Sequence, residues 1–267
     1  MANNWSPPEG HPISLEKAKR LLAGDLGDVY RKILMDCCVA LFWFQRSKDN
    51  PAILHNGTVT LVQTPKKLLG ITAAHILRKY EKDRREQKIR LQLADCVVDD
   101  ILERVIVISD RFDIATFEFD KELLTNMGKD MVPLESWPPQ PPQEGRGIML
   151  AGFPGKERLE MKRLEADFGL FTAIGIARIV NDRQITWAVD REYFLKTQTI
   201  KNLPPNYDLG GISGGPLISW FETSNNISYY KLSGIISEAN ATLETVVASR
   251  AECINEDGTI VRGVAFI

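Results

Sequence analysis

The chain holds only three histidines, His11, His55 and His75, so imidazole chemistry has few places to reside. His75 stands apart by its neighbours. A strand pattern, Leu69-Gly70-Ile71-Thr72, runs into two small residues, Ala73 and Ala74, which let the backbone turn and present the ring at a strand end. Asp113, within Arg111-Phe112-Asp113-Ile114-Ala115, opens another apolar strand. Taken singly, His75 reads as a structural histidine with its hydrogen bonds met, and Asp113 as a solvated strand end. The third feature is sharper. Gly210-Gly211-Ile212-Ser213-Gly214-Gly215-Pro216-Leu217 sets a serine among four glycines, immediately ahead of an apolar strand. Glycine permits positive φ and close backbone approach, so successive N–H groups can be aimed into one concavity that cradles an anion. A phosphate loop of the Walker type would need a Lys-Ser/Thr ending and a helix after it, and neither follows. An ordinary turn seldom needs four glycines around one serine.

These residues need a scaffold, and 267 residues suffice for two modules or one large all-β unit. Hydrophobic residues make up 44% and charged residues 25%, close to soluble globular averages, which excludes disordered, collagen-like and coiled-coil readings. The formal charge of −2, from 33 basic and 35 acidic residues, gives no general pull toward nucleic acid or anionic membranes. Residues 13–35 carry a helical spacing (Leu15, Ala18, Leu21, Leu22, then Leu26, Val29, Tyr30, Ile33) with Ser14 as a cap. Strand patterns follow at 58–63, 68–72, 89–93, 105–108 and 114–119, and the mixed-charge stretch 78–88 reads as a solvated helix or loop. Trp137-Pro138-Pro139-Gln140-Pro141-Pro142 cannot join a sheet interior. Further strands are expected at 148–151, 171–180, 184–189, 216–220, 229–237, 245–248 and 262–267. The expected organisation is therefore a helical lead over 1–35, a first β-barrel over 36–132, a proline-rich linker over 133–147 and a second β-barrel over 148–267. Four cysteines, two of them adjacent, are too few for a disulfide scaffold, so reduced thiols are expected. The polar start Met1–Gly10 lacks a secretion signal's apolar core, and the longest apolar run, Cys37–Phe44, is too short to cross a bilayer as a helix. A cytoplasmic location is the expectation.

Thr72-Ala73-Ala74-His75, Asp113-Ile114-Ala115 and Gly211-Ile212-Ser213-Gly214-Gly215-Pro216 resemble the three signature segments of the chymotrypsin-like (trypsin-like) serine peptidases, in that family's order of His, Asp and Ser. Asp113 follows His75 by 38 residues and Ser213 follows Asp113 by 100, so the first pair would belong to one family barrel and the serine to a second. The resemblance covers roughly 36–267 and implies an all-β fold of two antiparallel barrels and a serine endopeptidase. Serine at its free pKa is a poor nucleophile, so Ser213 needs a neutral imidazole to take its proton, and His75 is the candidate base. Asp113 would hold the other ring nitrogen and fix the tautomer. The N–H groups of Gly211 and Ser213 match the family's oxyanion-hole donors.

By the same resemblance, Gly234-Ile235-Ile236-Ser237 is similar to the strand that pairs with substrate backbone, with Ser237 matching the serine that supports the aspartate. Tyr207 and Asp208 would line the pocket for the residue before the cut, Asp208 being either a recogniser of basic side chains or internally paired. Ile212 stands where trypsin-type enzymes carry an aspartate that pairs with a freshly cut amino terminus, which rules out that activation switch. Ile76 stands in place of a half-cystine, so the chain is more similar to intracellular bacterial or viral relatives. Glu238 replaces an aromatic or apolar residue on the substrate platform and implies narrow specificity. The expected partner is a protein or peptide substrate, with no nucleic acid, membrane, metal or cofactor. A catalytically silent, peptide-binding version of the fold is the competing reading, and a latent enzyme awaiting an activating partner is a third.

Overall fold

A computed structural model describes residues 11–22, 24–46, 52–127, 131–162, 165–188 and 207–261. The chain opens with a two-residue strand β1 (His11–Pro12), then helices α1 (Leu15–Leu22) and α2 (Asp25–Cys37). The first sheet comprises β2 (Cys38–Gln45), β3 (Ile53–Gln63), β4 (Leu68–Thr72), β5 (Leu91–Leu93), β6 (Cys96–Val97), β7 (Val105–Ser109) and β8 (Ile114–Glu118), with α3 (Ala74–Glu86) leaving β4 and α4 (Lys121–Asn126) following β8. All its pairings are antiparallel, in the order β6-β5-β2-β3-β4-β8-β7, and the sheet curls around one core of Val39, Leu41, Trp43, Val59, Leu61, Leu91, Phe117 and their neighbours.

The second half contains β9 (Gly147–Gly152), a hairpin β10 (Arg158–Lys162) and β11 (Glu165–Phe168), then β12 (Phe171–Val180), β13 (Gln184–Ala188), β14 (Pro216–Glu222), β15 (Ser228–Asn240) and β16 (Thr245–Arg250). Its strands run β9-β14-β15-β16-β13-β12 and return to β9, because β9 pairs with both β12 and β14. That ring is a closed six-stranded antiparallel barrel, in which closure leaves the ring no unpaired edge. The protein is thus an all-β fold of two antiparallel barrels with a short helical lead. Beyond the expected strands, the structure makes the apolar run after Cys37 into β2, starts β3 five residues earlier at Ile53, and adds the β10–β11 hairpin and the short strands β1 and β6. The strand expected at 262–267 and residue 189 lie outside the described residues.

Alternation along the strands explains how two barrels share one interface. In β2 the odd residues Val39, Leu41 and Trp43 fill the first barrel, whereas Cys38, Ala40 and Phe42 join a separate core. In β9, Ile148 and Leu150 point into the second barrel while Met149 and Ala151 join that same separate core. A strand buried on both faces reads as an unbroken apolar run, which is why Cys37–Phe44 shows no period of two. The shared core also takes Tyr30, Leu34 and Cys37 of α2. Tyr30 meets Trp220 edge-on at 5.1 Å and Tyr230 at 6.0 Å. The lead is fastened further by β1, where His11 and Pro12 pair with Glu222 and Phe221. All four cysteines are free thiols. No helix among the described residues is long and apolar enough to cross a membrane.

Candidate active site

Strand β4 is buried up to Ala73 and Ala74, and the chain then turns directly into α3, so His75 sits in that helix's first turn. Ala73, at the N-cap position, has no side chain to bond the orphan N–H groups. Asp113 supplies what is missing from across the sheet: its carbonyl accepts from Ala74 N–H at 3.1 Å and its Oδ1 accepts from His75 N–H at 2.9 Å. Its Oδ2 lies 2.8 Å from His75 Nδ1. A carboxylate here accepts, so Nδ1 carries the proton and Nε2 presents its lone pair outward.

Asp113 closes the β7–β8 hairpin with φ of +50°, a left-handed conformation that aspartate tolerates better than most residues. Beside it, Phe112 is buried and its carbonyl accepts from Ser249 Oγ of the second barrel. Roughly half of the His75 side chain remains exposed (49%), so the ring is open to a ligand.

The serine loop is held group by group. Gly210 N–H donates to Asp208 Oδ1 (2.8 Å), Ile212 N–H to Leu209 O, Gly214 N–H to Ile236 O and Gly215 N–H to Ile212 O. The carbonyl of Gly210 accepts from Gly155 N–H (2.7 Å), that of Gly211 from Thr58 Oγ1 (3.0 Å), that of Ser213 from Thr58 N–H (2.8 Å), that of Gly214 from Thr60 Oγ1 (2.8 Å) and that of Gly215 from Ile236 N–H (2.8 Å). Of the twelve backbone donors and acceptors in residues 210–215, ten are therefore paired, and the two without a partner among the described residues are the N–H groups of Gly211 and Ser213. A trans peptide points its N–H opposite to its C=O. With the carbonyls of Gly210 and Ile212 engaged, these two N–H groups face away from those bonds. Gly211 and Gly214 have φ of +105° and +91°, and a Cβ on Gly214 would stand 1.9 Å from Thr58 O. Only glycine fits both positions.

Gly214 also abuts Thr72 Oγ1, three residues before His75, so the serine loop lies against the strand end that launches the histidine. Ser213 Oγ donates to Ser237 O at 3.2 Å, and no hydrogen bond joins it to His75 Nε2. Ile212 is fully buried in the second barrel's core, with no carboxylate at that position to receive a charged amino terminus.

The remaining expected residues separate. Ser237 sits at a bulge, since the β15–β16 register shifts between Ile236 and Glu238, and bulges re-aim side chains. Its carbonyl therefore meets Ser213, while its hydroxyl donates to Val247 O at 3.1 Å rather than to Asp113. The contact to the aspartate's loop comes from Ser249 instead. Glu238 is exposed on the next residue. Asp208 is exposed, with one oxygen turned back onto Gly210 N–H. Tyr207 stacks on Phe171 at 6.1 Å and donates its hydroxyl to the buried Glu157; burial first, then that hydrogen bond, pushes the phenol well above its ordinary pKa. Residues 189–206, just ahead of Tyr207, lie outside the described residues. Among the described residues, no group of three or more His, Cys, Asp or Glu is arranged to hold a metal ion.

Thr58, Thr60 and Asn56 were not singled out by their sequence, although their side chains and backbone hold the serine loop and its neighbour. Asn56 Nδ2 donates to Phe153 O at 2.8 Å. The one available signal was the alternation of Thr58 and Thr60 with Val59 and Leu61, which marks a strand but not what its threonines meet.

No protein-family model and no curated protein matches the chain. Among solved structures, the chain is similar to the Rv3671c protease from M. tuberculosis in its active form, at 14% identity and a TM-score of 0.42, covering 94% of this chain and 89% of that one. It is also similar to Deg5, at 13% identity and a TM-score of 0.45, covering 89% of this chain and 91% of that one. The two-barrel description rests on the strand order and the separate cores of the chain itself.

Proposed function

We propose that this protein is a serine endopeptidase that cleaves peptide bonds through an acyl-enzyme at Ser213. The observation that carries the reading is that the N–H groups of Gly211 and Ser213 have no partner among the described residues, in a loop where every other backbone group is bonded. Two convergent donors beside a hydroxyl are what a tetrahedral oxyanion needs, and removing one such donor typically costs ~10²–10³ in turnover. In the proposed cycle, Ser213 Oγ turns from Ser237 O and attacks the scissile carbonyl while His75 Nε2 takes its proton. Asp113 stabilises the imidazolium, and His75 then gives that proton to the departing amine. Water, deprotonated by His75, releases the acid and restores the serine.

Substrate backbone would add as a strand along Ser237 and Glu238. The free oxygen of Asp208, with Tyr207 beside it, would face the residue before the cut and favour a basic side chain. Four free thiols are in keeping with a reducing, cytoplasmic setting.

A second reading, a silent peptide-binding module, draws on the Ser213 hydroxyl being engaged by Ser237 O. A fluorophosphonate probe separates the two. The enzyme reading expects covalent labelling of the wild type that vanishes in Ser213→Ala and falls at least ~10³-fold in rate in His75→Ala. Absence of labelling in folded protein, alone and with peptide substrates added, would decide for the silent module.

A further inference from the structure

We infer that the Thr58 hydroxyl, carried by the first barrel, is the positioning residue that sets the oxyanion donors of the second. The inference rests on the reading of Ser213 as a nucleophile. Its basis is where β3 outruns its neighbour. The β3–β4 ladder ends at the pair Thr60–Ile71, so two residues further along β3 the backbone N–H of Thr58 has no strand partner, and Ser213 O takes it at 2.8 Å. The carbonyl of Thr58 accepts from Thr72 Oγ1 at 2.7 Å, on the strand end that leads to His75. Its hydroxyl does two further things at once. It donates to Gly211 O at 3.0 Å and accepts from Phe153 N–H at 3.0 Å.

Thr58 is fully buried and its bond from Phe153 N–H is closed to water, while Gly211 is partly exposed. Phe153 belongs to the segment whose Gly155 N–H holds Gly210 O, the carbonyl of the peptide unit that carries the Gly211 donor. One hydroxyl therefore ties both ends of the peptide pair flanking Gly211: directly at Gly211 O, and through the 153–155 segment at Gly210 O. Asn56, two residues earlier on the same face of β3, holds Phe153 by its carbonyl as well. Without the Thr58 hydroxyl, Gly211 O loses its tie to the first barrel and Phe153 N–H becomes an unpaired group at a buried residue. The cheapest relief is rotation of the Gly211 peptides, since glycine at positive φ has few barriers to such a turn. That rotation misaims one oxyanion donor and leaves ground-state binding intact.

The test uses the full chain and a fluorophosphonate, in which Ser213 Oγ displaces fluoride, its proton passes to His75, and the phosphoryl oxygen enters the oxyanion site. Thr58→Val keeps the shape and both backbone bonds of Thr58. It should lower the maximal inactivation rate by about 10- to 100-fold with the half-saturating probe concentration changed by less than about 3-fold. Thr58→Ser should restore the rate to within about 3-fold of wild type, and Asn56→Ala, at a partly exposed site, should lower it about 3-fold. Near-ultraviolet circular dichroism checks that each variant is folded, and the Ser and Asn56 variants keep the test open if Thr58→Val does not fold. A wild-type rate in Thr58→Val, or a loss that Thr58→Ser fails to rescue, overturns the inference while leaving the enzyme reading in place. A wild type that never reacts with the probe overturns the enzyme reading itself, and this inference with it.

Discussion

Asp113 carries two duties on one carboxylate, and the two can be pulled apart. Oδ1 caps α3 through the His75 N–H and Oδ2 orients the His75 ring. Asparagine can keep the first bond with its amide oxygen, but its NH₂ group then faces Nδ1 and forces the proton onto Nε2, the wrong tautomer for a base. Asp113→Asn should therefore lower fluorophosphonate reactivity by about 10⁴ while leaving the urea midpoint nearly unchanged. Asp113→Ala loses the cap as well and should cost about 1 kcal/mol more in stability. If both substitutions reduce stability and reactivity in parallel, the division of labour is wrong. At this scale the sequence was informative, because His75, Asp113, Ser213 and the flanking glycines are marked by residue type. Thr58 was not, because a threonine on a strand looks the same whether its hydroxyl meets water or another barrel's carbonyl.

Among the elements, α3 is fixed at its far end by a buried charge. Asp83 in its last turn is fully buried, accepts from Trp43 Nε1 at 3.0 Å and Lys79 Nζ at 2.5 Å, and lies 3.7 Å from His55 Nε2. Burial works to raise the pKa of Asp83, but the hydrogen bonds from Lys79 and Trp43 and the nearby positive charge hold it below the ordinary range. His55 stacks on Trp43 at 5.2 Å and bonds Gln45 Oε1 at 2.9 Å. Its pKa is pushed down, first by burial and then by the Lys79 ammonium, against the opposite pull of Asp83.

The sign follows from linkage. A histidine whose folded pKa lies below its unfolded value near 6.5 binds its proton more readily when unfolded. Its contribution is complete above about pH 6.5 and is lost as pH falls through the folded value; Asp83 adds a second loss at more acidic pH, below about 4. Stability read from urea midpoints should accordingly rise between about pH 5 and 7, and His55→Gln should flatten that rise. An unaltered slope in the variant would assign the effect elsewhere. The sequence marked 78–88 as a charged solvated stretch. It could not reveal that Asp83, inside that stretch, is fully buried, since burial is decided by β2 and β3 packing over it.

The whole molecule is joined through the core that lies between its barrels. Tyr30 of α2 contacts Trp220 and Tyr230, and the same core contains Phe42 of the first half and Met149, Ile218 and Leu232 of the second. A shared core couples the unfolding of the parts that line it. The protein should lose tryptophan fluorescence and far-ultraviolet dichroism in one coincident transition, and Tyr30→Ala should shift both signals together by roughly 3–5 kcal/mol. Two separated transitions, with only one moved by the substitution, would mean that the barrels and the lead are independent units.

The residues alone determined which chemistry can be proposed, because a candidate nucleophile, base, carboxylate and glycine loop are each a matter of residue type and local backbone freedom. They also determined most strand positions, since alternation and glycine or proline punctuation are local properties. Tertiary structure alone decided which neighbour each polar group meets. The bulge at Ser237 sends its hydroxyl to Val247 and its carbonyl to Ser213, and the overrun of β3 past β4 gives Thr58 to the serine loop. Hydrogen-bond partners far apart in the chain depend on register and on how two barrels dock. Neither leaves a periodic signature in one dimension.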